Sequence, residues 1–181
     1  MLDFDPRSGA TATRSATQVL DVIRDQALQV DWILETHAHA DHLSAGQWFK
    51  QQCPGATLAI GSGIRAVQRA FRTIFNLGEH FPVDGSQFDR LFEDDARFAL
   101  GRLEGRVIAT PGHTNDSVSY LIGDALFVGD SLFMPDGGTV NLAYERSRGL
   151  RKLLKRRPEF GTAAGKDDHG GFVILCRRIL D

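Results

Sequence analysis

Val30-Asp31-Trp32-Ile33-Leu34-Glu35-Thr36-His37-Ala38-His39-Ala40-Asp41-His42 is the stretch on which the reading of this chain turns. Its first seven residues are mostly apolar or β-branched, form too short a run for a helix, and give way at once to polar residues. That is the pattern of a buried strand. Where the strand ends, three imidazoles and a carboxylate fall within six residues, with alanines between them. In an extended or turning segment, alternate side chains point the same way. His37 and His39 are therefore placed to grip one ion, while Asp41 and His42 turn toward a neighbouring position. Ala38 and Ala40 leave room for this, and imidazole with carboxylate suits borderline divalent metals such as Zn²⁺ and Fe²⁺ without cysteine. A lone histidine is usually a surface residue or a satisfied core residue. The cluster, not any single member, carries the metal reading.

On either side of this stretch the periodicity predicts alternating helices and strands. Ser15–Ala27 places Val19, Leu20, Val22, Ile23 and Ala27 at helical spacings, with Ser15 as the expected cap. Leu43–Gln52 reads as a helix, Thr57–Ile60 as a strand, and Ile64–Phe75 as a helix with Val67, Ala70, Phe71 and Ile74 on its apolar face. The pattern then changes to short β runs: Arg97–Leu103, Arg106–Thr110, Ser117–Ile122 and Ala125–Val128. Glycine turns are expected at Gly101, Gly105, Gly112 and Gly123. The order implies an α/β layered fold without internal repeats.

Two further candidates sit where a β run meets a loop. His113 lies in Thr110-Pro111-Gly112-His113-Thr114, and Asp130 follows Leu126-Phe127-Val128-Gly129. Ligands at three strand ends suggest a site along one sheet edge, where the loops of a rigid scaffold converge. For Asp130 alone, a turn aspartate after glycine is the equal alternative. His80, between Glu79 and Phe81, reads as a loop residue.

The 181 residues, 42 % hydrophobic and 24 % charged, suffice for one globular domain and exclude a disordered or collagen-like chain. Cys53 and Cys176 belong to no CxxC pair and read as buried thiols. No run approaches the roughly 20 apolar residues of a membrane helix. The start, Met-Leu-Asp-Phe-Asp-Pro-Arg-Ser-Gly, lacks the basic and apolar regions of a signal peptide, so a soluble, cytoplasmic protein is expected. Residues 1–137 hold 11 Lys and Arg against 18 Asp and Glu, whereas residues 138–181 hold 10 against 5. The step marks a change of character near residue 138. Within the basic part, Arg146–Arg157 is a helix candidate with Leu150, Leu153 and Leu154 as its apolar face, and Gly161–Gly171 reads as loop. No aromatic residues interleave these cations to stack bases, so nucleic acid is not an expected partner.

His37 to His42, Pro111 to Thr114 and Gly129-Asp130-Ser131-Leu132-Phe133 together resemble the metal-binding motifs of the metallo-β-lactamase superfamily. The nearest groups are glyoxalase II and, closer still, the persulfide (sulfur) dioxygenases, including bacterial β-lactamase-hydrolase-like proteins. The closer match rests on Leu2-Asp3-Phe4-Asp5-Pro6, on Trp32-Ile33-Leu34-Glu35-Thr36 running into the histidines, and on Phe133-Met134-Pro135-Asp136. It covers residues 1–137. The resemblance implies an αββα sandwich with a metal site at one sheet edge, and it divides the chain into a metal-binding domain, 1–137, and a divergent basic tail, 138–181.

In the dioxygenase pattern, His37, His113 and Asp130 would bind one Fe(II) per chain. O₂ and a persulfide such as glutathione persulfide would meet there, releasing sulfite and the thiol. His39, Asp41 and His42 would then tune the pocket and hold water or the ligands in place. The hydrolase pattern places His37, His39 and His113 on one zinc, Asp41 and His42 on a second, and Asp130 between them. A hydroxide, oriented by Asp41 as a catalytic residue, would attack a thioester. One or two Zn is thus the alternative to Fe(II), and ligand identity alone does not separate the two. The resemblance also allows a homodimer. Arg65, Arg69 and Arg72 are candidates to meet a glutathione-like substrate, with ordinary exposed helix cations as the simpler reading.

The chain departs from the family in two respects. Relatives carry strands before the segment matching Leu2–Pro6, so an incomplete sandwich is expected, with the first strands missing. They also carry a later histidine, for which His169, in a solvated Asp-Asp-His-Gly-Gly context, is not accepted as an equivalent. An inactive truncated relative, or a polyanion-binding module, is the remaining alternative.

Overall fold

The computed structural model describes residues 2–39, 43–131 and 172–178. The strand expected at the centre of the fold is β3 when all strands are numbered in chain order, and it runs Leu28–Glu35. The others are β1 (Asp3–Phe4), β2 (Thr11–Ala12), β4 (Thr57–Gly61), β5 (Arg90–Phe92), β6 (Arg97–Leu100), β7 (Leu103–Ala109), β8 (Val118–Ile122), β9 (Ala125–Phe127) and β10 (Phe172–Arg178). The helices are α1 (Arg14–Asp25), α2 (Gly46–Gln52) and α3 (Ile64–Ile74).

One sheet has the order β10-β3-β4-β5. In it β3, β4 and β5 run parallel, which the intervening α2 and α3 make possible, while β10 pairs antiparallel along β3. The second sheet is the antiparallel meander β6-β7-β8-β9, and β1-β2 is a separate small hairpin. Trp32, Leu34, Ala59 and Phe92 of the first sheet meet Phe98, Val107, Tyr120 and Ile122 of the second in one core. The opposite face of the first sheet packs Val30, Ile33 and Leu58 against Ala16, Leu20 and Ile23 of α1 and Phe49 of α2. Among the described residues the layers are therefore helix, sheet, sheet. This is the mixed α/β sandwich that the motif implies.

A single extra residue makes β3 serve both cores. Trp32 pairs with Leu175 and Val30 with Cys176, leaving Asp31 as a bulge. Strict alternation would send Val30 to the same side as Trp32 and Leu34. The bulge returns it to the helix side with Ile33. Between the sheets the aromatic rings form one contiguous group. Trp32 and Phe98 have centroids 5.0 Å apart, Phe92 and Phe98 5.4 Å, and Phe98 and Tyr120 6.2 Å. Each pair adds about 0.5–1.5 kcal/mol to its area term.

Several expectations need correction. Ser15 does not cap α1, because the helix starts one residue earlier. Instead Asp3 reaches over from β1: its Oδ2 accepts the Ser15 N–H at 3.2 Å and its Oδ1 accepts the Ser15 hydroxyl. These hydrogen bonds hold the Asp3 carboxyl below its ordinary pKa.

Gly105 is not a turn. It sits inside β7 opposite Phe98, where a Cβ would collide with the aromatic ring, while the turn falls at Gly101 with φ +57°. The expected apolar face of α3 is only half covered. Ile64 and Gln68 are buried, whereas Ala70 and Ile74 are exposed. β5 and β10 were not anticipated. Cys53 and Cys176 are free and half-buried, and burial raises both thiol pKa values. Arg146–Arg157, Gly161–Gly171 and His169 lie outside the described residues, and so does the Phe133–Asp136 segment. Among the described residues, no helix is long and apolar enough to cross a membrane.

Candidate metal centre

Three loops converge at the edge where β3, β7 and β9 end. The first leaves β3 through Thr36, His37, Ala38 and His39. The second links β7 to β8 and carries His113. The third is the 3-10 turn Gly129–Ser131 with Asp130. Asp130 Oδ2 stands 3.5 Å from His37 Nε2 and 3.5 Å from His113 Nε2. The His37 ring lies 4.0 Å from that of His39 and 5.1 Å from that of His113, centroid to centroid. Ligand atoms of His37, His39 and Asp130 all fall within 4.8 Å of one another. Four of the six residues singled out from sequence are thus brought together. The other two, Asp41 and His42, lie outside the described residues.

The donor set fits a divalent metal. Neighbouring ligands on one ion with bonds of about 2.1 Å stand roughly 3–3.5 Å apart, the spacing that Asp130 keeps from both histidines. His37 Nδ1 and Thr36 Oγ1 are 3.0 Å apart, a contact that fixes the ring and turns Nε2 toward Asp130. The centre is asymmetric in exposure. His37 is 2 % exposed, the Asp130 side chain 19 % and that of His113 36 %, so the His113 side opens to solvent.

What holds the loops in place was not legible from the ligands. Val118 N–H donates to the Thr36 carbonyl at 2.9 Å, and the Tyr120 hydroxyl to the Glu35 carbonyl at 2.7 Å, tying the end of β3 to β8 across the sandwich. Ala38 N–H donates to Asp116 Oδ2 at 3.0 Å, joining the first loop to the second. The Ser131 hydroxyl lies 3.0 Å from Thr110 Oγ1, which is itself 3.0 Å from Ser119 Oγ, so the Asp130 turn is anchored to β7 and β8. Thr36, Thr110, Asp116, Ser119 and Ser131 are all buried. Gly129, at φ +51°, lies against Thr36 so closely that a Cβ would strike its hydroxyl. The one available signal was hydroxyl residues at strand ends beside candidate ligands.

Glu35, 5 % exposed, stands just behind the loop. Its Oε1 accepts the Ser44 hydroxyl, and burial pushes its pKa up to about 7. Tyr120 is raised as well, by burial and then by the Glu35 charge. His80, expected in a loop, is exposed in one. Arg65 and Arg69 are exposed, and Arg65 Nε donates to the Asp84 carbonyl at 3.1 Å, which fits the reading of ordinary helix cations.

A family model described as the metallo-beta-lactamase superfamily matches residues 4–166. Glyoxylase B2 of Dictyostelium discoideum is 51 % identical over 140 residues, 77 % of this chain and 48 % of that protein. A hydroxyacylglutathione hydrolase of Brucella anthropi is 31 % identical over 138 residues, 74 % of this chain and 46 % of that protein. The chain spans about half the length of these curated relatives. Among solved structures, that of ETHE1 from Myxococcus xanthus superposes with a TM-score of 0.58 at 21 % identity, over 96 % of this chain and 73 % of the other. That likeness is one of fold.

Proposed function

We propose that this chain, which belongs to the metallo-β-lactamase superfamily, is a metal-dependent enzyme acting on a small thiol-derived substrate, and that its reaction is oxygenation of a persulfide at one Fe(II). The observation that carries this reading is the central position of Asp130, whose Oδ2 lies 3.5 Å from Nε2 of both His37 and His113. Two imidazoles and one carboxylate on one face form a complete ligand set for a single ion and leave its other positions open. His37, His113 and Asp130 would hold the metal. Fe(II) held there would supply a place where O₂ and the sulfur of a persulfide such as glutathione persulfide meet side by side, and with one water the products are sulfite, two protons and the free thiol.

The chain's own residues do the rest. Thr36 fixes the His37 ring, the Ser131–Thr110 bond fixes the Asp130 turn, and the exposed His113 edge is the side from which substrate arrives. His39 stands beside His37, and with Asp41 and His42 is assigned to holding water and shaping the pocket.

A second reading is favoured by a separate observation. His39 brings a ligand atom within 4.8 Å of those of His37 and Asp130, so two of the three histidines of the hydrolase pattern stand together beside the carboxylate. With one or two Zn bound, such a site supplies a hydroxide for thioester hydrolysis, with Asp41 orienting it. The names of the two curated relatives support this hydrolase reading.

The test is metal content per chain in protein purified without oxidation, followed by oxygen uptake on adding glutathione persulfide. One iron with persulfide-dependent uptake, lost in His113→Ala, is the expected result. Zinc with thioester hydrolysis and no uptake selects the second reading. Protein that takes up no stoichiometric metal refutes both.

A further inference from the structure

Beside the loop that carries His39, and sharing Ala38 and His39 with it, lies a cavity of about 590 Å³. Its size falls within the roughly 300–1,000 Å³ of small-molecule sites. Leu58 of β4, Ile64, Val67 and Phe71 of α3, and Phe81 and Phe88 beyond it form an apolar wall. The space is held open by polar bracing at its edge. The Gln68 amide donates to Gln87 Oε1 at 2.7 Å and accepts the Gly85 N–H at 2.9 Å, while Gln47 Nε2 donates to the Gln87 carbonyl at 2.7 Å. These bonds fix the 85–88 stretch, and Val67 and Phe71 of α3 line the cavity, the Phe71 ring also meeting that of Phe75 at 5.2 Å between centroids.

His39, Ser44, Gln47, Gln68 and Gln87 add polar groups to the lining, and Glu35 is the one carboxyl among the described lining residues. Glu35 lines the cavity at 5 % exposure, its Oε1 is taken by Ser44, and among the described residues its Oε2 has no hydrogen-bond partner. Buried carboxyl oxygens are almost always paired, and leaving one unpaired is costly. A water on Oε2 would satisfy it but leave six apolar side chains wet.

We propose that this cavity is a ligand site for a small neutral amphiphile: an aryl or alkyl body that fills the apolar wall, with one hydroxyl or N–H group bonded to Glu35 Oε2. Among the described residues no Lys or Arg lines the cavity to balance an anion, so a neutral occupant fits its lining better than a long charged thiol. A hydroxyl both donates and accepts, so it fits the Glu35 carboxyl whichever protonation state that group is in. The inference does not depend on the metal's identity or on the reaction. Ala38 and His39 form part of the cavity lining, so the occupant lies directly beside the metal loop.

The probe is N-phenyl-1-naphthylamine, a neutral aryl amine with one N–H that brightens in apolar surroundings, titrated into the full chain. The expected result is saturable binding at one per chain. Competition by 1-octanol is expected, with affinity about tenfold above that of 1-phenylnaphthalene, which lacks the N–H. Val67→Trp, which fills the space from α3, should lower affinity at least tenfold with an unchanged far-UV circular dichroism spectrum. Hydrogen exchange on the wild-type chain gives a readout that needs no variant, with probe-dependent protection expected in 64–74 and 85–88. Unsaturable binding, full affinity in a folded Val67→Trp, or absence of that protection overturns the site. Equal affinity for the two probes overturns the role of Glu35.

Discussion

Gly129→Ala tests whether the metal centre is built by close backbone approach. Gly129 sits at φ +51°, where an L side chain costs about 1–2 kcal/mol. Its Cβ would also strike Thr36, which is 1 % exposed and cannot swing aside. Overpacking of that kind costs about 1–3 kcal/mol. The sum, about 2–5 kcal/mol, is a large share of the stability of an ordinary domain. Gly123→Ala is the internal control. Its φ is +59° but the nearest atom to a Cβ, Leu103 Cδ2, is 3.8 Å away, so it should show the backbone cost alone. Urea unfolding of both metal-free variants gives the difference, assigned to the collision with Thr36. Metal affinity by chelator competition should fall at least tenfold in Gly129→Ala and stay unchanged in Gly123→Ala, because only the first moves Asp130 and Thr36. Equal unfolding energies for the two variants, or wild-type metal affinity in Gly129→Ala, would refute the reasoning.

Ser131→Ala removes one of the two hydroxyl partners of the buried Thr110, Ser119 remaining, and should cost about 0.5–1.5 kcal/mol in urea unfolding, with weaker metal binding at the Asp130 turn. His113→Ala, at the exposed edge, should abolish stoichiometric metal while changing metal-free stability by less than about 0.5 kcal/mol. His37→Ala, at a buried position, should lower both, as elemental analysis and urea unfolding of the pair would report. Asp89 supplies a pH dependence. Lys50 Nζ at 2.7 Å and the Leu58 N–H at 2.8 Å hold its carboxyl below the ordinary range, so the folded state binds its proton less readily than the unfolded chain. Its stabilisation is present above the unfolded carboxylate pKa and lost as pH falls through the folded one. For a pair this exposed it amounts to about 0.2–1 kcal/mol. Asp89→Asn should flatten stability measured from pH 5 down to pH 3.

The central strand and the histidine cluster were legible because their signal is local: an apolar run ends and ligands begin within a few residues. His113 and Asp130 were legible for a related reason, since each follows a β run and a glycine, of which Gly129 takes a positive φ of +51°. Gly105 was misread because its requirement is not local. Its sequence neighbours look like those of a turn, and only the Phe98 ring on the facing strand explains the missing side chain. β5 escaped notice because three residues beginning with an arginine carry no periodicity. The Arg90 guanidinium in fact lies over the Trp32 and Phe92 rings, at 5.7 and 4.8 Å from their centroids. α3 buries Ile64 and Gln68 and leaves Ala70 and Ile74 exposed, so its burial does not follow the apolar pattern of its sequence.

The same distinction separates the ligands from their supports. Ligands cluster in sequence because one loop can carry several. The groups that aim them do not, because aiming requires contact with a different strand. Thr36, Thr110, Ser119 and Ser131 span nearly a hundred residues, yet all lie at the strand ends where three loops meet. In sequence each is an ordinary hydroxyl residue, one that is most often exposed. Buried, their hydrogen bonds have no water to replace them, so each fixes one orientation. The proposed centre therefore depends for its geometry on these hydroxyls as well as on the histidines. Loss of metal in variants of the hydroxyls, with every ligand intact, is the consequence that distinguishes this view from one in which the histidine motif alone suffices.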